Sequence, residues 1–202
     1  MTRIIAGSAR GRRIAVPPGR GTRPTADRAR EGLFSTLESL VGSLDQRRFL
    51  DLYAGSGAVG LEAISRGAAA AILVESNPTA AGLIRANAAA MNLLGVHVYV
   101  AQAEQLLRRA VAEAPFDVIF ADPPYTLPNA DLREVLADAH ANGWLADEAV
   151  LAVERPTRGS QWSWPCGIRA ERFRRYGEAT LWYGRAAGPS APEKLGSKPS
   201  EE

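Results

Sequence analysis

Apolar residues recur along this chain with two different periods, and the switching between them lays out a fold. Short apolar runs at 49–53, 71–75, 96–100, 116–121 and 149–154 read as strands. Between them, residues 59–66, 78–91, 104–112 and 129–141 carry apolar positions at helical spacing. Pro78 falls in the first turn of its helix, where a proline is tolerated. Regular alternation of this kind predicts a parallel sheet covered by helices on both faces. The pattern changes at the end. Residues 168–176 and 179–183 are strand-like and joined by a short Gly-containing turn, so they must run antiparallel.

The beginning differs again. Ile4-Ile5-Ala6 and Arg13-Ile14-Ala15-Val16 are short strand-like runs, with a turn expected over Gly7 to Gly11 and a break at Pro17-Pro18-Gly19. Thr25 reads as the N-cap of a helix running to about Leu40, with Ala29, Leu33, Leu37 and Leu40 on one face. The expected division is an arginine-rich arm or hairpin over 1–24, an α/β domain over 25–185 and a disordered Pro/Ser-rich tail over 186–202.

Composition narrows the class. With 46% hydrophobic and 23% charged residues, the chain has the make-up of a globular domain, and 202 residues suffice for one sizeable core. No apolar stretch approaches the ~20 residues of a membrane span, and the first residues lack a signal-peptide core. A cytoplasmic setting is expected. Cys166 is the single cysteine, which excludes an internal disulfide or a cysteine-cluster metal site; no metal is expected. Net charge is only +2, yet eight arginines crowd residues 1–31, and Arg169, Arg172, Arg174 and Arg175 form a second cluster. Clustered arginine marks either a nucleic-acid footprint or a solvated face.

Two motifs carry candidate chemistry. Asp51-Leu52-Tyr53-Ala54-Gly55-Ser56-Gly57-Ala58-Val59-Gly60 follows the first strand of the sheet. Gly55 allows the tight turn, Gly57 lets a ligand approach the backbone, and Gly60 lets the helix pack on the sheet. Glu75 ends the next strand, placed for a ribose diol, with Asn77 as a further polar contact. Asp51 offers a charge to an ammonium group. An ammonium, a carboxylate, a ribose and an adenine make up S-adenosylmethionine, which suits these residues better than NAD. Gln102, Ala103 and Glu104, after the third strand, stand where the adenine would be read.

The second motif, Asp122-Pro123-Pro124-Tyr125, ends the fourth strand. An exocyclic amine on a base is a weak nucleophile because its lone pair is delocalised into the ring. Two acceptors aimed at its protons, Asp122 and the Pro123 carbonyl, localise that pair, and Tyr125 stacks on the base. The motif points to methyl transfer onto a base amine, which must be unpaired or flipped out. It does not distinguish adenine, cytosine and guanine. His97, His140, the four tryptophans and Cys166 have structural readings.

Three blocks together resemble a known family. They are Arg3-Ile4-Ile5-Ala6-Gly7 with Gly11-Arg12 and Arg23 to Glu31; Asp51 to Ala63; and Asp122 to Tyr125 with Asn142-Gly143-Trp144-Leu145. Over about residues 3–185 the chain resembles the RsmD-type bacterial 16S rRNA (guanine-N2)-methyltransferases. The resemblance implies a class I S-adenosylmethionine-dependent fold: a Rossmann-like, mostly parallel seven-stranded sheet with an antiparallel C-terminal hairpin. It implies methylation of a guanine amine in 16S rRNA within a 30S assembly particle. Arg3, Arg10, Arg12, Arg13 and Arg23 are then RNA contacts, while Thr25 with Asp27 and Arg28 either closes over the cofactor or caps its helix. The competing readings are an adenine-N6 methyltransferase acting on DNA or RNA, a nicotinamide-dependent oxidoreductase, and a non-catalytic ribosome-binding factor.

Overall fold

A computed structural model describes residues 2–16, 24–110 and 115–188, with only the backbone of 24–26. Arg23 and the Pro-Pro break at 17–18 lie outside the described residues, as does most of the tail. The elements are β1 (Thr2–Arg3), β2 (Arg13–Ile14), α1 (Pro24–Val41), β3 (Arg48–Asp51), α2 (Ala58–Ser65), β4 (Ala70–Glu75), α3 (Pro78–Ala90), β5 (Val96–Val100), α4 (Ala103–Leu106), β6 (Phe116–Ala121), α5 (Asn129–Ala141), β7 (Leu145–Pro156), β8 (Ile168–Tyr176) and β9 (Ala179–Ala186).

Seven of these strands form one sheet in the order β5-β4-β3-β6-β7-β9-β8. The five from β3 to β7 pair in parallel, whereas β9 is antiparallel to both β7 and β8. The helices cover both faces. Leu33, Phe34 and Leu37 of α1, Leu61 of α2 and Ile84 of α3 pack on one side with Phe49, Leu73 and Val118. Leu132, Leu136 and Ala139 of α5 pack on the other with Leu50, Ile119 and Leu151. The runs that form β4 and β6 are buried on both faces, which is why they lack a polar alternation, whereas the edge strand β5 is exposed in part. Strand order reverses between β3 and β6, and in such sheets ligands bind at that point, beyond the carboxyl ends of the strands.

Several boundaries depart from the sequence reading, among them β9, which runs to the buried Ala186 instead of ending at 183. Helix α1 begins at Pro24, so Thr25 lies within its first turn and is not its N-cap; a proline suits the first helical position because no helical partner waits for its missing N–H. Helix α4 ends at Leu106 instead of reaching 112. The carbonyls beyond it are taken by the end of α5: Asn142 Nδ2 donates to Leu107 O at 2.9 Å and Trp144 Nε1 to Arg109 O at 2.8 Å. Strand β7 starts at Leu145, four residues early, with a register shift against β6 between Phe116 and Val118 and Glu148 at φ 59°. Strands β1 and β2 are two residues each, because the Ile5 and Ala6 N–H groups leave the ladder and donate to the Glu62 carboxylate of α2 at 2.7 and 2.8 Å.

That last contact docks the N-terminal hairpin. Ile4 and Ile14 are buried in the core, Asn87 of α3 exchanges two hydrogen bonds with the Ala15 backbone, and Glu62 is also held by Arg66 Nε at 2.9 Å. The β1–β2 hairpin is therefore part of the domain surface.

Candidate active site

Strand β3 stops at Asp51 and the chain turns at Gly55 (φ 57°) and Gly57 (φ 79°) into α2. These φ values lie in the left-handed region that glycine occupies without strain. Gly57 has no side chain to cap α2, the Gly60 N–H is taken by Asp51, and Ala58 and Val59 at the start of the helix line a cavity above the sheet. Gly60 is needed for packing: a Cβ there would lie 2.6 Å from Leu73 Cγ.

Asp51 is 1% exposed. Its Oδ2 accepts the Gly60 N–H at 3.1 Å, while Oδ1 has no partner. Burial raises its pKa to about 7, opposed by the Gly60 N–H and reinforced by Asp122 and Glu75. A buried carboxylate oxygen with an unmet hydrogen bond asks for a cationic donor. Glu75, at the end of β4, accepts from Gly55 N and Asn77 N, both at 2.8 Å. Those bonds fix the carboxylate and leave each oxygen a further lone pair for a hydroxyl. Asn77 has a different occupation from the expected ribose contact, since its Oδ1 caps α3 by accepting from Thr79 N and Ala80 N.

Ala103 is buried at the start of α4, and the next residue, Glu104, accepts a hydrogen bond from the Tyr53 hydroxyl at 2.9 Å. Burial, and then Glu104, push the Tyr53 pKa upward. Glu75, Gln102, Ala103 and Glu104 line a cavity of about 730 Å³ that runs to Pro123 and Tyr125. A second cavity of about 640 Å³ is lined by Asp51, Gly55, Val59, Asp122, Glu154 and the β8–β9 turn at Tyr176 to Ala179. Tyr53, Asp122 and Tyr125 belong to both walls.

The Asp122–Tyr125 segment stands at the carboxyl end of β6, with Pro123 buried and Asp122 and Tyr125 exposed to the cavities. Arg155 of β7 supports it. That guanidinium is 6% exposed, donates Nη2 to Leu127 O at 2.7 Å and feels Asp122, Tyr125 and Tyr53 electrostatically. Burial lowers the Arg155 pKa and Asp122 opposes that shift most strongly. Tyr53, Glu154 and Arg155 are site residues to which the sequence reading gave no role: it placed Tyr53 and Glu154 at strand ends and Arg155 just beyond one.

Of the arginines expected to meet RNA, Arg3, Arg10, Arg12 and Arg13 are exposed on the hairpin. Arg12 Nη2 is tied to Ala90 O, and the Arg3 carbonyl accepts from Arg30. In the C-terminal cluster Arg169 is paired with Glu171 at 3.1 Å, whereas Arg172, Arg174 and Arg175 are exposed along β8.

Sheet order, glycine turn and the pair of cavities define a class I S-adenosylmethionine-dependent methyltransferase. Comparison with known proteins narrows this further. The family model described as conserved hypothetical protein 95 matches residues 2–185. Ribosomal RNA small subunit methyltransferase D of Escherichia coli K12 is 39% identical over 167 residues, covering 80% of this chain and 81% of its own length. The protein of the same name from Haemophilus influenzae Rd is 34% identical over 154 residues, covering 75% and 77%. The solved structure of Escherichia coli yhhF superposes with a TM-score of 0.80 at 32% identity over 92% of this chain and 97% of that one. A hypothetical protein of Thermus thermophilus gives 0.74 at 36% identity over 91% and 98%. The chain belongs to this family, the one that holds the ribosomal RNA small subunit methyltransferase D proteins.

Proposed function

We propose that this protein transfers a methyl group from S-adenosylmethionine to the exocyclic N2 amine of a guanine in small-subunit ribosomal RNA, presented in a 30S assembly particle. The observation that carries the reading is the shared wall. Asp122, Tyr125 and Tyr53 stand between a cavity that suits an adenosine and one that suits an amino-acid tail and a base. The names of the curated relatives support rRNA as the substrate class.

The residues present fit the cofactor. The unpartnered Asp51 Oδ1 suits its ammonium group, the Ala58–Val59 end of α2 its carboxylate, Glu75 the ribose hydroxyls and the rim at Ala103 and Glu104 the adenine. When bound, S-adenosylmethionine supplies a methyl group on a positively charged sulfur. The chain's own task is positioning. Asp122 accepts one amino N–H and the Pro123 carbonyl the other, which draws the nitrogen lone pair out of conjugation with the ring. Tyr125 holds the base by stacking, worth about 1–3 kcal/mol. Arg155 holds the loop through Leu127 and offsets the negative charge of Asp122. Arg3, Arg10, Arg13 and Arg23 contact phosphates, fixing register without reading bases. A cytoplasmic setting follows from that substrate.

The test is methyl-labelled S-adenosylmethionine with 30S particles from cells lacking the gene, followed by digestion to nucleosides and mass mapping of the rRNA. The expected product is N2-methylguanosine at one position. Label recovered in N6-methyladenosine overturns the reading.

A further inference from the structure

Glu154 has no part in the mechanism above, yet it stands at the reacting end of the site. On β7 it follows Val153, which pairs with Ala121 of β6, so Glu154 lies directly across from Asp122. On its other side it pairs with Leu181 of β9, and both residues line the 640 Å³ cavity. Arg155, the next residue, points to the opposite face of the sheet, as strand geometry requires, and its bond goes to Leu127. The Glu154 backbone belongs to the β7–β9 ladder, whereas among the described residues its carboxylate makes no hydrogen bond or ion pair. Burial, and then Asp122, push its pKa up to about 8. A half-buried carboxylate held beside a second one on the wall of a cavity weakens the fold, and such an arrangement marks a ligand-facing group.

We propose that Glu154 is the specificity-determining residue of the site, accepting the ring N1–H of guanine while Asp122 and the Pro123 carbonyl hold the adjacent amine. The inference rests on the guanine-N2 reading and deepens it. The argument is one of neighbours on the base edge. The N2 amine of guanine has a ring N–H beside it. The N6 amine of adenine is flanked by a bare N1, and the N4 amine of cytosine by a bare N3. With both amino hydrogens taken, an acceptor one place along the edge is satisfied by guanine alone. Against adenine or cytosine, the ionised Glu154 carboxylate, the form that prevails above about pH 8, meets a ring lone pair, and two acceptors are left facing each other. A site built to hydrogen-bond one group rejects an analogue lacking it far more strongly than a merely shaped pocket does.

The test, run at pH 8.5 so that Glu154 is ionised, uses the full-length protein and two 30S particles reconstituted with 16S rRNA that carries a synthetic segment spanning the mapped position. One carries guanine there and the other 2-aminopurine, which keeps the N2 amine but has a bare N1. Wild-type protein is expected to methylate the guanine RNA at least about 100-fold more efficiently. Glu154→Gln, of the same shape, presents an amide N–H that can donate to the bare N1. It should lose activity on guanine, gain it on 2-aminopurine and narrow the ratio at least about tenfold. RNA affinities should shift in the same sense, with S-adenosylmethionine affinity unchanged and thermal stability raised at this pH, as expected when a carboxylate of raised pKa is neutralised. A variant that keeps the wild-type ratio, while wild type still prefers guanine, overturns the role of Glu154 alone. Wild-type protein that methylates neither RNA overturns the guanine-N2 reading and this inference with it.

Discussion

The Tyr53 hydroxyl donates to the Glu104 carboxylate across 2.9 Å, tying the turn after β3 to the first turn of α4. The two residues are separated by half the sheet in sequence, and their bond closes the floor of the cavity that suits the adenosine. Tyr53→Phe keeps the ring and removes the donor, so Glu104 is left with one fewer partner. A hydrogen bond of this kind contributes about 1 kcal/mol, so the affinity for S-adenosylmethionine should fall about fivefold with little change in kcat. Isothermal titration and initial rates separate the two; a kcat loss with unchanged affinity contradicts the assignment.

Asp51 makes the cofactor site sensitive to pH in a definite direction. Its pKa lies near 4 in an unfolded chain and is raised to about 7 in the fold. Between those values the native state holds a proton that the unfolded chain has released. The contribution to stability is therefore full below about pH 4 and is lost as pH rises through 7. An ammonium ligand needs the ionised form, so S-adenosylmethionine should bind more tightly at pH 8 than at pH 6. Asp51→Asn should flatten both trends, raise the melting temperature of the free protein at pH 8 and weaken cofactor binding about 10–100-fold. Calorimetry at the two pH values gives both quantities.

Asp122→Ala isolates the positioning of the amine. The carboxylate lies in the wall common to both cavities, while Glu75 and Asp51 hold their places through backbone N–H groups independent of it. Turnover should fall about 100–1,000-fold, the usual effect of deleting one preorganised polar group, with cofactor affinity within about twofold of wild type. Single-turnover rates with saturating RNA check this; wild-type rates in the variant remove Asp122 from the chemistry.

Much of this site was legible in the chain because its two motifs are local. A glycine turn and an Asp-Pro-Pro-Tyr segment each sit at the end of one apolar run, and the alternation of runs and helices places both at the same sheet edge. Glu154, Arg155 and Tyr53 were not legible as site residues for a topological reason. Glu154 becomes a neighbour of Asp122 only once β7 is known to lie beside β6. Asn77 did carry a local signal, an Asn immediately before a proline at a helix start, and that signal describes a cap. The length of α4 was set from outside it, by Asn142 and Trp144 at the far end of α5.

The exposed arginines of the hairpin differ in what they are free to do. Arg13 is exposed in β2, whereas Arg12 already donates to Ala90 O. Arg13→Ala should lower RNA affinity on every sequence alike and reduce the slope of log affinity against log salt by about one, the value for one lost phosphate contact. Arg12→Ala should show a smaller change in slope. Filter binding at several salt concentrations measures both, and an unaltered slope for Arg13→Ala takes that residue out of the interface.

Glu62 is the tie between the hairpin and the cofactor loop. It is fully buried in α2, accepts from the Ile5 and Ala6 N–H groups and from Arg66, and lies 3.9 Å from Arg30 Nε. Burial lowers the Arg30 pKa, and Glu62 is the strongest influence opposing that shift. Glu62→Ala strands two backbone donors and takes a buried carboxylate from Arg30 and Arg66, which keep Asp27 and Glu38 as partners. Breaking one side of a buried ion pair costs about 3–5 kcal/mol, so denaturant unfolding should register a loss of that order. Because α2 begins just after Gly57, the same change should loosen the cofactor turn as well as the hairpin. Hydrogen exchange should therefore quicken at Ile5 and Ala6 and, less strongly, at Gly60, whose N–H is held by Asp51. Faster exchange in the hairpin with an unaffected Gly60 means that the two motifs are mechanically separate, and the RNA-facing arginines then act without reference to the cofactor.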